Sequence, residues 1–217
     1  MLDDNVSNKN SIDIAGLPFS QACENNKQPI LEVLQQELKD SKNVLEIGSG
    51  TGQHSVYFAP NLSHLQWQTS DIIANHNVIE AWHTAYPAPN LYAPLPFDLN
   101  SDLLPLSLIS SQSYDAVFTA NTLHIIAWPL VERLFKLVGD ALPLHGKLVI
   151  YGPFNENGQY TSEGNRRFDE MLRRHNNSSG IRDKETVVTL GVTHHLALLT
   201  TQKMPANNQL LVFEKTL

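Results

Sequence analysis

Residues 46 to 52 read Glu-Ile-Gly-Ser-Gly-Thr-Gly, so that Gly48, Gly50 and Gly52 alternate with two small hydroxyl residues. Glycines spaced in this way permit a tight turn and let a ligand approach bare backbone. The apolar run Val44-Leu45-Glu46-Ile47 precedes them and a helix is expected from about Gln53, which places the turn where a buried strand gives way to a helix. A nicotinamide fingerprint would require glycine at position 53, where Gln53 stands, and a Walker phosphate loop would require a following Gly-Lys-Ser/Thr. Asp71 comes nineteen residues after Gly52, close to the spacing of about 20 at which an acid meets a ribose. Its carboxylate can accept hydrogen bonds from both ribose hydroxyls. Asp98, in Phe97-Asp98-Leu99, follows a third strand-like region and can accept the exocyclic amine of an adenine that its neighbours sandwich. Three loops then converge on one nucleoside. Each acid also has a plainer use: Glu46 can bond backbone groups of its own turn, and Asp71 and Asp98 can cap a helix or turn.

His124 falls just past the fourth expected strand, at the sheet edge where open α/β folds carry their ligand crevice. Its imidazole, ordinarily titrating near 6.5 (about the value for a free side chain), can take a proton from a substrate, orient it, or simply pack at the start of the next helix. Tyr151, at the end of the fifth strand, is the second catalytic candidate. Arg166, Arg167, Arg173, Arg174 and Arg182 cluster in one stretch and would attract an anion, but Asp169 and Glu170 stand four residues from three of them, the spacing of self-paired charges on a solvated helix. Asn25 and Asn26 are placed as caps ahead of a first helix. No metal site is expected: His194 and His195, as neighbours on a strand, would point to opposite faces.

Elements able to position these groups are legible. Pro29 suits a helix's first turn, and Ile30, Leu34 and Leu38 follow at helical spacing. Strands are expected at 44–47, 65–70, near Leu91, at 114–120 and at 147–151, separated by helical or loop sequence, which implies parallel pairing. Val131, Leu134, Phe135, Val138 and Leu142 mark one face of a helix that Pro129 begins. Strands at 196–204 and 210–215 are joined so briefly that they must be antiparallel. The expected fold is therefore α/β: a Rossmann-like, seven-stranded, mostly parallel sheet with helices on both faces and a C-terminal antiparallel hairpin. The segment from Tyr151 to Arg182, with four glycines, is a candidate wall or lid over a substrate pocket.

A length of 217 residues suits one domain, read as 17–217 behind a polar tail at 1–16. The formal charge of -7 argues against a nucleic-acid binder and favours a small-molecule partner. The single cysteine, Cys23, leaves no internal disulfide, and the polar start and lack of a long apolar run make a cytoplasmic location without membrane contact the expectation.

Taken in order, Glu46 to Gly52, Asp71, Asp98 and the segment from Tyr114 to His124 resemble the successive motifs of class I S-adenosylmethionine (SAM)-dependent methyltransferases, over roughly residues 25–215. The resemblance implies SAM as cofactor, with Gly48, Gly50 and Gly52 at its methionine portion, Asp71 at the ribose, Asp98 and Leu99 at the adenine, and the backbone near Asn121 at the amino group. The segments Glu24 to Leu31, Asn121 to Ile125, Tyr151 to Phe154, Gly180 to Asp183 and Met204 to Asn208 are similar, more narrowly, to an uncharacterised methyltransferase-like family built on a domain of unknown function. That family pattern has arginine where Asn25 stands. Methyl transfer to an unidentified small molecule is the reading implied, by direct in-line attack on the sulfonium methyl group. A SAM-binding module without catalysis and a nicotinamide oxidoreductase are the alternatives.

Overall fold

The computed structural model describes residues 16–106 and 113–216. All of the expected tail except Gly16, and Leu217 at the far end of the expected domain, lie outside them. In chain order the elements are α1 (Gln21–Glu37), β1 (Asn43–Ile47), α2 (Gln53–Asn61), β2 (Gln66–Asp71), α3 (Ile73–Ala85), β3 (Leu91–Pro96), β4 (Ala116–Ala120), α4 (Trp128–Ala141), β5 (Lys147–Asn155), α5 (Glu163–His175), β6 (Arg182–Asp183), α6 (Lys184–Thr193), β7 (Leu196–Met204) and β8 (Asn208–Lys215).

Seven strands run in the order β3-β2-β1-β4-β5-β8-β7, and the two-residue β6 pairs with the end of β5. Among the described residues the named strands pair in parallel except for β8, which lies antiparallel to both β5 and β7. The expected architecture is thus present, with β6 as an eighth strand too short to show any alternation in sequence. Strand order reverses between β1 and β4, and at such a switch point the loops leaving the carboxyl ends diverge and open a crevice.

All five residues of β1 are buried, because both faces of the sheet are covered. Alternate side chains feed two cores. Leu45, Val117, Leu148 and Ile150 meet Val131, Leu134, Phe135 and Val138 of α4, the stripe read from sequence. Val44, Phe118 and Val149 meet Ile30, Leu31 and Leu34 of α1 and Phe58 of α2. Burial of each large apolar side chain contributes roughly 1.5–3 kcal/mol.

The first helix corrects the sequence reading. It begins eight residues before Pro29, at Gln21, with Ser20 as N-cap accepting from the Cys23 amide at 3.3 Å. Proline inside a helix normally costs a hydrogen bond and clashes with the preceding turn, but the buried stripe of Ile30, Leu31 and Leu34 holds the helix continuous. Asn25 and Asn26 are therefore within the helix rather than caps. His194 and His195 are displaced too: they form the turn from α6 into β7, His195 with φ of 60°, instead of lying on a strand.

Gly139 lets α4 meet the end of α6: a β-carbon there would stand 2.5 Å from the His194 carbonyl oxygen. Gly139→Ala is expected to lower unfolding free energy by about 1–3 kcal/mol, read as an earlier urea midpoint with unchanged m-value.

Candidate functional site

At the end of β1 the chain turns through three left-handed glycines, with φ of 72° at Gly48, 59° at Gly50 and 84° at Gly52. Their amides are gathered by the end of β2: Gly48 and Ser49 donate to the Ser70 carbonyl at 3.0 and 3.2 Å, and Gly50 donates to Asp71 Oδ2 at 2.7 Å. The other Asp71 oxygen, Oδ1, accepts from the Ile72 amide and from Asn75 Nδ2, both at 2.8 Å. The third loop closes on the same residue, as the Phe97 amide donates to the Asp71 carbonyl at 2.9 Å. From β4, Thr119 Oγ1 donates to the Ile47 carbonyl at 2.9 Å and accepts from Thr122 Oγ1 at 2.7 Å. The structure thus brings the glycine turn, Asp71, the start of the Asp98 loop and the Asn121 region to one place.

The glycines differ in what their bare backbone serves. A β-carbon at Gly50 would meet only the Gly48 carbonyl, at 4.0 Å, so this position faces open space. At Gly48 it would come 3.1 Å from Thr122 Oγ1, and at Gly52 3.2 Å from the Ile79 backbone of α3. Gly52 therefore serves helix packing on its open side, and Gly50 is the position that leaves room for a ligand.

Glu46 is 1% exposed and accepts from Trp67 Nε1 at 2.9 Å. Burial raises its carboxyl to about 7, against the lowering effects of Trp67 and Ser49, while the Asp71 charge raises it further. Its partner is an indole two rungs along the neighbouring strand, not the turn backbone. Asp98 does close a turn, with Oδ1 accepting from the Asn100 amide at 2.9 Å and Asn100 Nδ2 at 2.8 Å, bonds that lower its carboxyl. Leu99 packs against the core on the α4 side. Asn121 is left-handed, with φ of 57°, and spends its amide on the Tyr151 carbonyl at 2.8 Å, so its own carbonyl is the group left to meet a cation.

The two catalytic candidates fall on opposite sides of β5. Tyr151 is 2% exposed in the core beneath α1; burial raises its hydroxyl, which Asn26 and Asn208 hydrogen-bond. His124 is 5% exposed and lies across Gly152, whose β-carbon would come 3.6 Å from Nδ1. Its ring meets Phe168 edge-on at 5.3 Å. Desolvation, reinforced by the Arg182 charge, lowers His124 to about 4. Successive strand residues face opposite ways, which is why one strand end separates the pair.

Arginines of the expected lid are spent internally. On α5, Arg166 pairs with Glu163 and Glu170, Arg167 with Glu163, Arg173 with Asp169 and Arg174 with Glu170. Arg182 instead holds the loop after β4, donating to the carbonyls of Leu123 at 3.0 Å, Ile126 at 2.5 Å and Ser178 at 2.9 Å.

Several site groups lie beyond what the sequence reading found. Asn75 stands four residues after Asp71 on the first turn of α3, a spacing that was available as a signal. Trp67 had none, because its approach to Glu46 depends on strand register. His54 Nε2 meets Asn26 Oδ1 at 2.6 Å, both residues being buried. Since an amide oxygen only accepts, Nε2 carries the proton and the ring is neutral at Nδ1.

A profile of a family described as a protein of unknown function, DUF938, matches residues 17–215. Among solved structures, the fold is similar to an O-methyltransferase family 2 protein from Planctomyces limnophilus in complex with apigenin, at TM-score 0.77 and 17% identity over 90% of this chain and 58% of that one. It is similar to an O-methyltransferase family protein from Burkholderia thailandensis at 0.72 and 13%, over 88% of this chain and 56% of that one. Human N-acetylserotonin methyltransferase in complex with SAM gives 0.69 and 14%, over 88% and 55%. The chain spans little more than half the length of these proteins, and at such identities the likeness shows a shared fold. Among the described residues no helix is long and apolar enough to cross a membrane.

The buried titratable groups give a pH signature. Desolvation, with the Lys27 charge, lowers His54 from 6.5 to about 4. An unfolded chain takes up that proton near 6.5 and the folded one only near 4, so the stability is complete above 6.5 and lost as pH falls toward 4. Glu46 acts oppositely: its contribution is complete below 4.5 and lost as pH rises through about 7. Replacing His54 by Gln, which keeps a donor for Asn26, should remove roughly 3 kcal/mol of the decline in unfolding free energy on acidification. Urea titrations from neutral to acid pH measure it, and parallel curves for both proteins would refute the assignment.

Proposed function

This chain belongs to the DUF938 family of proteins of unknown function, and from the site's geometry and the fold it shares with O-methyltransferases we propose that it binds SAM in the crevice between the ends of β1 and β4 and serves methyl transfer to a small-molecule acceptor. The observation that carries the reading is the bond from the Gly50 amide to Asp71 Oδ2, which joins the glycine turn to the acid at the end of β2. An ionised carboxylate offers about four acceptor positions. Three are taken, by Gly50, Ile72 and Asn75, so one ribose hydroxyl can be received outright and a second by displacing one of these donors. Ile72, 44% exposed beside Asp71, offers an apolar surface for the flat face of a base, and Asp98 keeps Oδ2 apart from the oxygen that closes its turn. Gly50 supplies the unobstructed backbone for the amino-acid portion, and the carbonyl of Asn121 an acceptor for an ammonium group.

SAM brings a methyl group already activated by its positive sulfur, so the protein's main task is to hold the acceptor in line. His124 and Tyr151 are then acceptor-side groups, each from its own face of β5. Support for a methyltransferase-like role comes from the fold shared with O-methyltransferases, among them SAM-bound N-acetylserotonin methyltransferase.

Calorimetric titration with S-adenosylhomocysteine tests the cofactor: Asp71→Ala is expected to weaken binding by about 100-fold, the loss of charge-assisted hydrogen bonds. No binding to the unaltered protein, or equal affinity for the variant, would sink the proposal. Label transfer from SAM to a metabolite extract separates an enzyme from a silent binding module. An enzyme yields a labelled product that His124→Gln or Tyr151→Phe diminishes by about tenfold or more.

A further inference from the structure

The segment Glu24 to Pro29 divides between two destinations. Asn26 turns inward to His54 and Tyr151, whereas Glu24 and Lys27 face a cavity of about 400 Å³ between α1, α2 and α3 that none of Gly48, Gly50, Asp71, Asp98 or Asn121 lines. Its walls are aromatic: Phe19, Tyr57, Trp82 and Tyr86, with Val56 between them. Phe19 and Tyr86 are 58% and 39% exposed, a large apolar surface to leave to water. Trp82 and Tyr86 stack with centroids 5.5 Å apart and planes 20° from parallel. Trp82 is fixed by its indole bond to the Pro18 carbonyl at 2.7 Å, so this wall is preformed. The Lys27 ammonium lies 4.8 Å from the centre of the Tyr57 ring and pairs with Glu24. An ammonium has three donors, so one carboxylate does not exhaust it.

Gln53 provides an independent sign. This residue also lines the cavity and is 3% exposed. Its Oε1 accepts from the Ser20 amide and from Thr51 Oγ1, while Nε2 is buried without a partner among the described residues. A buried donor left unpaired is costly, and such groups ordinarily find a partner in protein, water or ligand.

We propose that this cavity is a second binding site, taking a planar aromatic carboxylate of one or two rings, with the ring against Tyr86 and Phe19 and the carboxylate on Lys27. The volume suits a ligand of that size, since small-molecule sites begin at roughly 300 Å³. The side-chain amide of Gln53 gives the site a route to the cofactor turn through Thr51. An aromatic box also attracts quaternary ammonium groups, but a second cation would sit against Lys27, whose charge already occupies the face of Tyr57.

The probe is 2-naphthoate, titrated into the full chain without cofactor and followed by calorimetry. Saturable binding is expected with a Kd below about 1 mM, weakened about tenfold by Lys27→Met and by Tyr86→Ala, the loss of a charge-assisted contact or of a stacking wall. Thermal unfolding confirms that each variant folds, and either one suffices. S-adenosylhomocysteine binding by Tyr86→Ala should match the unaltered protein, which separates failure here from failure of the cofactor reading. Absence of saturation, equal binding of uncharged 2-methylnaphthalene, affinity indifferent to both substitutions, or preference for tetramethylammonium would each overturn the proposal.

Discussion

The hydrogen bond between the Gly50 amide and Asp71 extends the pairing of β1 with β2 beyond the ends of the two strands and fixes the glycine turn against the neighbouring loop. A turn through three left-handed residues exposes amides that no helix or ladder can satisfy, and buried amides must be paired. The end of β2 supplies the partners, through the Ser70 carbonyl and the Asp71 carboxylate. This works only in the observed register, where Ile47 sits beside Ser70. A slip of one residue would turn the Asp71 side chain to the other face. Strand pairing thus sets the crevice, and the glycines allow the turn that the pairing needs.

Above the crevice, the face covered by α1 carries polar groups in an otherwise apolar core: Asn26, Glu46, His54 and Tyr151. They are hydrogen-bonded, Glu46 to Trp67 and Asn26 to His54, and held in uncharged or proton-retaining states by burial. Cys23 belongs to this group, its thiol raised by burial next to Ser20. A purely hydrophobic contact would let α1 slide along the sheet, whereas bonds to named partners specify where it rests. The same helix presents Lys27 and Glu24 on its other side, so one element determines both the roof of the crevice and the rim of the aromatic cavity.

Legibility in the sequence followed the range of the interactions. The glycine turn and the apolar stripe of α4 are local patterns that depend on spacing within a few residues, and Asp71 is placed by its distance from the turn; the structure has the turn after β1, Asp71 at the end of β2 and the stripe facing the core. Proline misled at the first helix, because long-range burial of Ile30, Leu31 and Leu34 outweighed a local penalty; the true signal was Ser20. Trp67 under Glu46 and Arg182 over the carbonyls of Leu123 and Ile126 connect residues far apart in the chain, and nothing in composition or periodicity marks them. The two-residue β6 is below the length at which alternation exists. Asp98 shows the intermediate case: its Oδ1 closes the turn, as the plainer account expected, and its Oδ2 takes no part in those bonds.

Opposite placement of His124 and Tyr151 restricts the chemistry a substrate at this edge can ask for. At neutral pH the His124 imidazole is uncharged, and with its acidity pushed to about 4 it is a poor base for a group that must lose a proton outright. Tyr151, raised by burial, keeps its proton as well. Neither group is tuned to generate an anion. In the proposed methyl transfer, both would orient a nucleophile that already carries a free lone pair, or one whose proton leaves after the new bond has formed. The loop that carries His124 is held by Arg182 at two carbonyls, those of Leu123 and Ile126, which restrains the ring's position. If the proposed cofactor is bound here, such a weakly basic edge would contribute by placement, which is what an electrophile activated in advance requires.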